Sequence, residues 1–117
     1  MPSIRDLVLA ISRREGVTAA VVLGRDGLLI DSQVAAGADA EDLAARIPAI
    51  VNAAHQLGQA SGGGDLVTIL LEYGAGVALV CLPSDEAVLL VMLSSPASSG
   101  EIVAEIRRNL THIAALV

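Results

Sequence analysis

The stretch DLVTILLEYGAGVALVCLPSDEAVLLVML, Asp65 to Leu93, decides the fold. Three apolar runs, Leu66 to Tyr73, Val77 to Leu82 and Ala87 to Leu93, are separated only by Gly74-Ala75-Gly76 and Pro83-Ser84-Asp85-Glu86. Gaps so short make hairpins between neighbours, because a parallel pair needs a crossover of a dozen or more residues. The stretch is therefore an antiparallel meander. Its middle and last runs lack polar alternation, which places them inside a sheet covered on both faces. The first run alternates, with Val67, Ile69, Leu71 and Tyr73 on one face and Leu66, Thr68, Leu70 and Glu72 on the other. As first strand of the meander it is expected at a sheet edge, and an apolar edge without Pro or Lys needs a partner.

Upstream, Val17 to Leu23 and Leu28 to Val34 make a second hairpin, the first strand central and the second an edge. Gly24-Arg25-Asp26-Gly27 forms its turn, with Asp-Gly supplying positive φ. Ser3-Ile4-Arg5-Asp6 carries a capping box ahead of Ile4, Leu7, Val8 and Ile11, so a short helix begins the chain, with Arg13 and Arg14 in its last turn and Gly16 ending it. Asp39 caps a long middle helix from about Ala40 to Gln59, with Glu41 and Asp42 in its first turn. Leu43, Ile47, Ile50, Val51, Ala54 and Leu57 form its sheet-facing stripe. Pro48 either kinks this helix or splits it in two. Ser61-Gly62-Gly63-Gly64 reads as a flexible connector. After the meander, Ser94-Ser95-Pro96-Ala97 turns the chain and Ser98-Ser99-Gly100-Glu101 repeats the capping pattern. A terminal helix follows, burying Ile102, Val103, Ile106, Leu110, Ile113 and Val117.

These elements give an α+β fold in the order αββαβββα, with residues 1–117 as one domain. Beyond Arg46 the outer side of the middle helix carries no charge until Asp65; Pro48, Ala49, Asn52, Gln56 and Gln59 face outward. A solvated helix normally carries charge there, so this small, neutral face is expected to lie against another helix or protein.

Composition narrows the function. A hydrophobic fraction of 54% with no Phe, no Trp and a single Tyr implies an aliphatic core. Lacking stacking aromatics and carrying a net charge of −6, the chain is not expected to bind nucleic acid. Mean hydropathy is +0.68, yet Glu72, Asp85 and Glu86 interrupt the apolar region before the roughly 20 residues of a membrane span. No signal-peptide pattern opens the chain, so a cytoplasmic location is expected.

Catalytic machinery is sparse. Cys81, the only cysteine, lies in an apolar strand as a small hydrophobe. His55 and His112 stand on different helices without metal-ligand spacing. Asp26-Gly27 is not followed by further calcium ligands, the glycine run is not a phosphate loop, and no nucleophile elbow exists. We expect no catalytic residue, no cofactor and no metal.

The order of elements, Asp26-Gly27 between the first strands, the Glu41-to-Gln59 helix ending in Leu57-Gly58, and Gly100 opening Ile102 to Arg108 resemble the Roadblock dynein-light-chain family. The resemblance spans nearly the whole chain and is nearest to the short prokaryotic, MglB-like members. It implies a Roadblock/profilin-like architecture, a five-stranded antiparallel sheet between the long middle helix and the two terminal helices. It also implies a homodimer formed through the third strand and middle helix, here Leu66, Thr68, Leu70, Ala49, Asn52 and Gln56. The implied function is a non-catalytic regulator or scaffold binding a small Ras-like GTPase through Glu41, Asp42, Ala45, Arg46 and Ala49, and able to modulate its GTP hydrolysis. With no tail past Val117, activation through such an extension is not expected. The alternatives are a small-molecule-binding or catalytic domain with an undetected pocket, and a structural light-chain subunit of a larger complex.

Overall fold

A computed structural model describes residues 3–94 and 99–116. The N-terminal helix α1 spans Ile4–Ser12 and is opened by the expected box: Asp6 N–H donates to Ser3 Oγ at 3.2 Å and Ser3 N–H to Asp6 Oδ2 at 2.9 Å. Arg13 and Arg14 lie past its end rather than in its last turn, Arg13 as the cap. That position lets Arg14 cross to Glu105 on the far helix as an ion pair.

Strands β1 (Val17–Gly24) and β2 (Leu29–Val34) form the first hairpin. Of its turn residues only Gly27 takes a positive φ, at 90°. Gly27 N–H closes on Gly24 O at 3.0 Å and Asp26 Oδ1 accepts from Leu28 N–H, so the Gly24–Gly27 turn forms as expected but Gly27 alone, not the Asp-Gly pair, takes the positive φ.

The middle helix α2 runs unbroken from Ala40 to Ser61, with Pro48 inside it and Asp39 Oδ1 accepting from Glu41 N–H at 3.0 Å. Pro48 therefore does not split it. The glycine run is a helix stop rather than a loose connector. Gly62 sits at φ 73°, and Gly63 N–H reaches back to Gly58 O at 2.9 Å, closing the final turn.

Strands β3 (Thr68–Tyr73), β4 (Gly76–Cys81) and β5 (Ala87–Leu93) are the meander. Its third member pairs antiparallel with β1, giving the sheet order β2-β1-β5-β4-β3, with β1 interior and β2 and β3 at the edges. Every residue of β4 is buried. Gly76 is required there, since a Cβ would stand 2.7 Å from the Leu93 carbonyl oxygen.

Alternation sorts the sheet into two cores. Ala20, Val22, Leu79, Leu89 and Val91 meet α1 and the C-terminal helices through Val8, Ile102, Ile106 and Ile113. Ala19, Val21, Val80, Val88 and Leu90 meet α2 through Ala44, Ile47 and Val51. Both layers are aliphatic, as the composition demands. The C-terminal helical segment is not continuous: α3 (Ser99–Arg108) and α4 (Leu110–Leu116) break at Asn109, whose side-chain N–H donates to Glu105 O at 2.7 Å. An Asn bonding its own backbone competes with the helical ladder, which accounts for the interruption. Ser95–Ser98 and Val117, and the side chains of Ser99 and Leu110, lie outside the described residues, and with them the second capping pattern. No helix among the described residues is long and apolar enough to cross a membrane.

Candidate interaction surface

The two edges of the sheet differ. Across β2 the register slips between Val22 and Leu23, opposite Asp31 and Leu29, so Ile30 bulges out of the ladder. Asp31 is also held from α1 by Arg5 at 3.6 Å. A bulge and an inward-held charge are the ordinary guards against edge pairing. The other edge has neither. Thr68 to Tyr73 pair one for one with Cys81 to Gly76, and no Pro, Lys or bulge interrupts the strand.

Large apolar side chains accompany that open edge: Val67 is 49% exposed, Leu70 52% and Tyr73 54%. Leu70 lies opposite buried Leu79 and so belongs to the face carrying the terminal helices, whereas Ile69 and Leu71 lie against the α2 core. Thr68, opposite Cys81, has a buried Oγ1 without a hydrogen-bond partner among the described residues; the Cys81 sulfur beside it is only a weak one. Leu66 is a correction. It precedes the strand, is half-buried, and packs into the α2 core rather than sharing a face with Thr68 and Leu70.

On α2, Glu41, Asp42, Ala45, Arg46, Ala49, Asn52 and Gln56 are all exposed. At about 100° per residue, Ala45, Ala49, Asn52 and Gln56 fall on the side away from Ala44, Ile47 and Val51. Arg46 pairs with Asp42 one turn earlier at 3.2 Å, and Glu41 makes no ion pair among the described residues. Within one chain the exposed α2 residues and the β3 edge are not brought together: α2 makes its most extensive contacts with β2 and β1, and of the three seam residues expected from the sequence only Leu66 shares its core, beside Ile69 and Leu71. A second copy would be needed to join them.

Leu57 departs from the sequence reading. It shares an azimuth with Leu43 and Ile50, fourteen and seven residues earlier, which touch the α2 core, yet Leu57 is 70% exposed. Periodicity fixes direction around the axis, not how far the sheet extends beneath it, so the last turns of α2 overhang. Leu28, Ile30, Leu57, Val67 and Tyr73 are exposed apolar residues that the sequence reading did not single out as surface. The available signal was position, near the end of a helix or strand where the packing partner runs out.

Chemical groups do not converge. His55 and His112 are exposed, and among the described residues no cluster of His, Cys, Asp or Glu is placed to hold a metal. Burial pushes the Cys81 thiol up to about 11, with Thr68 and the Arg107 charge pulling weakly the other way, so it is a poor nucleophile. A cleft of about 270 Å³ between α1 and α3–α4 is floored by Leu7, Ile11, Ile102, Ile106 and Ile113, with the Arg14–Glu105 pair at its side. Another, of about 320 Å³, gathers Arg25, His55, Asp65, Ser84 and Asp85 at one end of the sheet, where Arg25 Nη2 donates to Ser84 O at 2.9 Å. Neither contains a hydrogen-bonded nucleophile and base among the described residues.

Residues 4–94 match the Roadblock/LC7 domain. An uncharacterized protein of Methanocaldococcus jannaschii is 29% identical over 110 residues, covering 94% of this chain and 96% of that protein. Among solved structures, an MglB with tetrameric arrangement aligns at a TM-score of 0.82 and 16% identity, over 96% of this chain and 85% of that one. Myxococcus xanthus MglB aligns at 0.80 and 17% identity, over 91% and 87%. At such identities the structural likeness speaks for the fold.

Proposed function

The chain belongs to the Roadblock/LC7 family, and on that premise we propose that residues 1–117 act as one unit, a dimeric, non-catalytic cytoplasmic regulator or scaffold that binds a small Ras-like GTPase. The observation that carries the proposal is the β3 edge, regular in register, unguarded and flanked by exposed Val67, Leu70 and Tyr73. Such an edge is an open template for another strand, and a second copy is the partner always at hand.

Antiparallel pairing of two β3 strands about a two-fold axis normal to the sheet keeps both α2 helices on one face. In this arrangement the Ala49, Asn52 and Gln56 faces of the two copies look out from the same side of the joined sheet, with Thr68 and Leu70 along the seam and Leu66 behind it in the α2 core. The small residues Ala45 and Ala49 permit close approach, and Glu41, Asp42 and Arg46 form a charged rim that tunes association rate more than affinity. This platform is the proposed docking surface, one GTPase per dimer. The family resemblance supports it, and the absence of converging chemical groups among the described residues favours a partner that acts by contact.

Calorimetry against the nearest Ras-like GTPase, loaded with GTP or GDP, tests the proposal. Binding with a dissociation constant below about 50 μM, roughly −6 kcal/mol, is the expected result. Failure of both nucleotide states to bind refutes it. Binding without faster GTP hydrolysis assigns a scaffold rather than an activator.

A further inference from the structure

We propose that the tip of the β1–β2 hairpin, through Leu28 and Ile30, anchors this same partner by entering an apolar socket rimmed with basic residues. The inference rests on the regulator reading above and adds residues outside the α2 platform. Leu28 is 69% exposed and Ile30 50%. Single exposed aliphatics are ordinary, but these two flank a well-tied hairpin end, Leu28 in the turn and Ile30 at the start of β2.

Gly24 N–H donates to Leu28 O at 2.8 Å, Gly27 N–H to Gly24 O at 3.0 Å, and Leu28 N–H to Asp26 Oδ1 at 3.0 Å. Arg25 N–H donates to Glu86 O at 3.1 Å and Arg25 Nη2 to Ser84 O at 2.9 Å, fastening the tip to the β4–β5 loop. Gly27 seats it on α2, since a Cβ there would meet Pro48 Cγ at 3.1 Å and Ala44 O at 3.6 Å. The tip thus abuts the helical turns that carry Ala45 and Ala49, and it is continuous with the proposed platform. A pre-ordered apolar projection loses little entropy on binding, which is what an anchor requires.

Charge and geometry choose the occupant. Asp26 lies in the turn, and Glu41 precedes Ala44 by one helical turn, with Asp39 and Asp42 beside it. Asp42 is offset by its pair with Arg46, and Arg25, hydrogen-bonded to the neutral Ser84 carbonyl, keeps its charge, so Asp26, Asp39 and Glu41 leave the tip net acidic. A second copy meeting the tip across a two-fold axis would set its own Asp26, Asp39 and Glu41 against these acids, and the bulge at Ile30 blocks strand addition to this edge. A basic-rimmed apolar pocket on another protein is the complement.

The test is Leu28→Ser with Ile30→Thr, titrated calorimetrically into the same GTPase beside the unaltered chain, with sedimentation of each sample. The dissociation constant should rise at least about tenfold, with assembly state and melting temperature unchanged because both side chains are half or more exposed. Leu28→Arg alone, at the more exposed position, should reproduce the loss through repulsion from the basic rim. If the unaltered chain binds and both variants bind equally well, the anchor is refuted while the regulator reading stands. If the unaltered chain does not bind, the regulator reading fails and the anchor with it. A change of assembly state in the variants overturns the assignment of a GTPase by making a second copy the occupant.

Discussion

Replacing Leu70 with Asp separates the fold from the assembly. In the isolated chain Leu70 is 52% exposed and stands at the sheet edge opposite Leu79, which is fully buried. The strand keeps all its pairs with β4, so the isolated chain should lose only about 1 kcal/mol. In the dimer the remaining half of the side chain is available for burial. Half of the ~1.5–3 kcal/mol for a whole leucine is about 1 kcal/mol, and two-fold symmetry counts it twice. Bringing two carboxylates to the seam adds desolvation and repulsion to that loss of about 2 kcal/mol. The dimer dissociation constant should therefore rise by at least about thirtyfold. Sedimentation equilibrium at micromolar concentration, with circular dichroism to verify the fold, reads this directly. A folded Leu70→Asp variant that dimerises as tightly as the unaltered chain would refute the reasoning.

Three further outcomes follow from the same structure. Gly76→Ala forces a methyl against the Leu93 carbonyl oxygen at 2.7 Å and should cost about 1–3 kcal/mol, seen calorimetrically as a melting temperature lowered by roughly 4–12 °C. Because burial raises the Cys81 thiol from 9.0 to about 11, its contribution to stability is complete below pH ~9 and lost as pH climbs through ~11. Urea midpoints should fall across that window in the unaltered chain and less so in Cys81→Ala. Ala49→Arg should weaken GTPase binding, or dimerisation if the α2 helices meet there, while Arg46→Glu should chiefly change the salt dependence of association, both measurable by calorimetry across a sodium chloride series.

The meander was legible in the sequence because its turns are too short for any other connection, and the two-layer cover followed from the unbroken apolarity of β4 and β5. The capping residues Ser3 and Asp39 were legible for the same local reason: a hydroxyl or carboxylate meets an unpaired N–H a few residues away. What escaped was set by distance. The bulge at Ile30 comes from the register between two strands, which no single strand encodes. Leu57 has a core-facing azimuth but no sheet beneath it, and Leu66 left its expected face because the strand begins two residues later, at Thr68. Asn109 interrupts the last helix through a side-chain bond that helical periodicity does not register. For the candidate surface, the neutral face of α2 and the unguarded β3 edge could be read from composition. The apolar hairpin tip could not, because its rigidity depends on Ser84, Glu86 and Pro48, which are distant in sequence.

The central claim is that β3 joins two copies, and the distance between spin labels at position 72 tests it most directly. Cys81 is buried with its thiol pushed up, so a Glu72→Cys variant, exposed on the edge strand, takes up label selectively. A six-residue strand spans about 20 Å, so antiparallel β3 pairing puts the two labels within roughly 30 Å of each other. Pulsed dipolar spectroscopy should give one distance in that range. A folded protein with no dipolar coupling, or with a distance beyond 38 Å, the longest extent of the chain, would contradict the account.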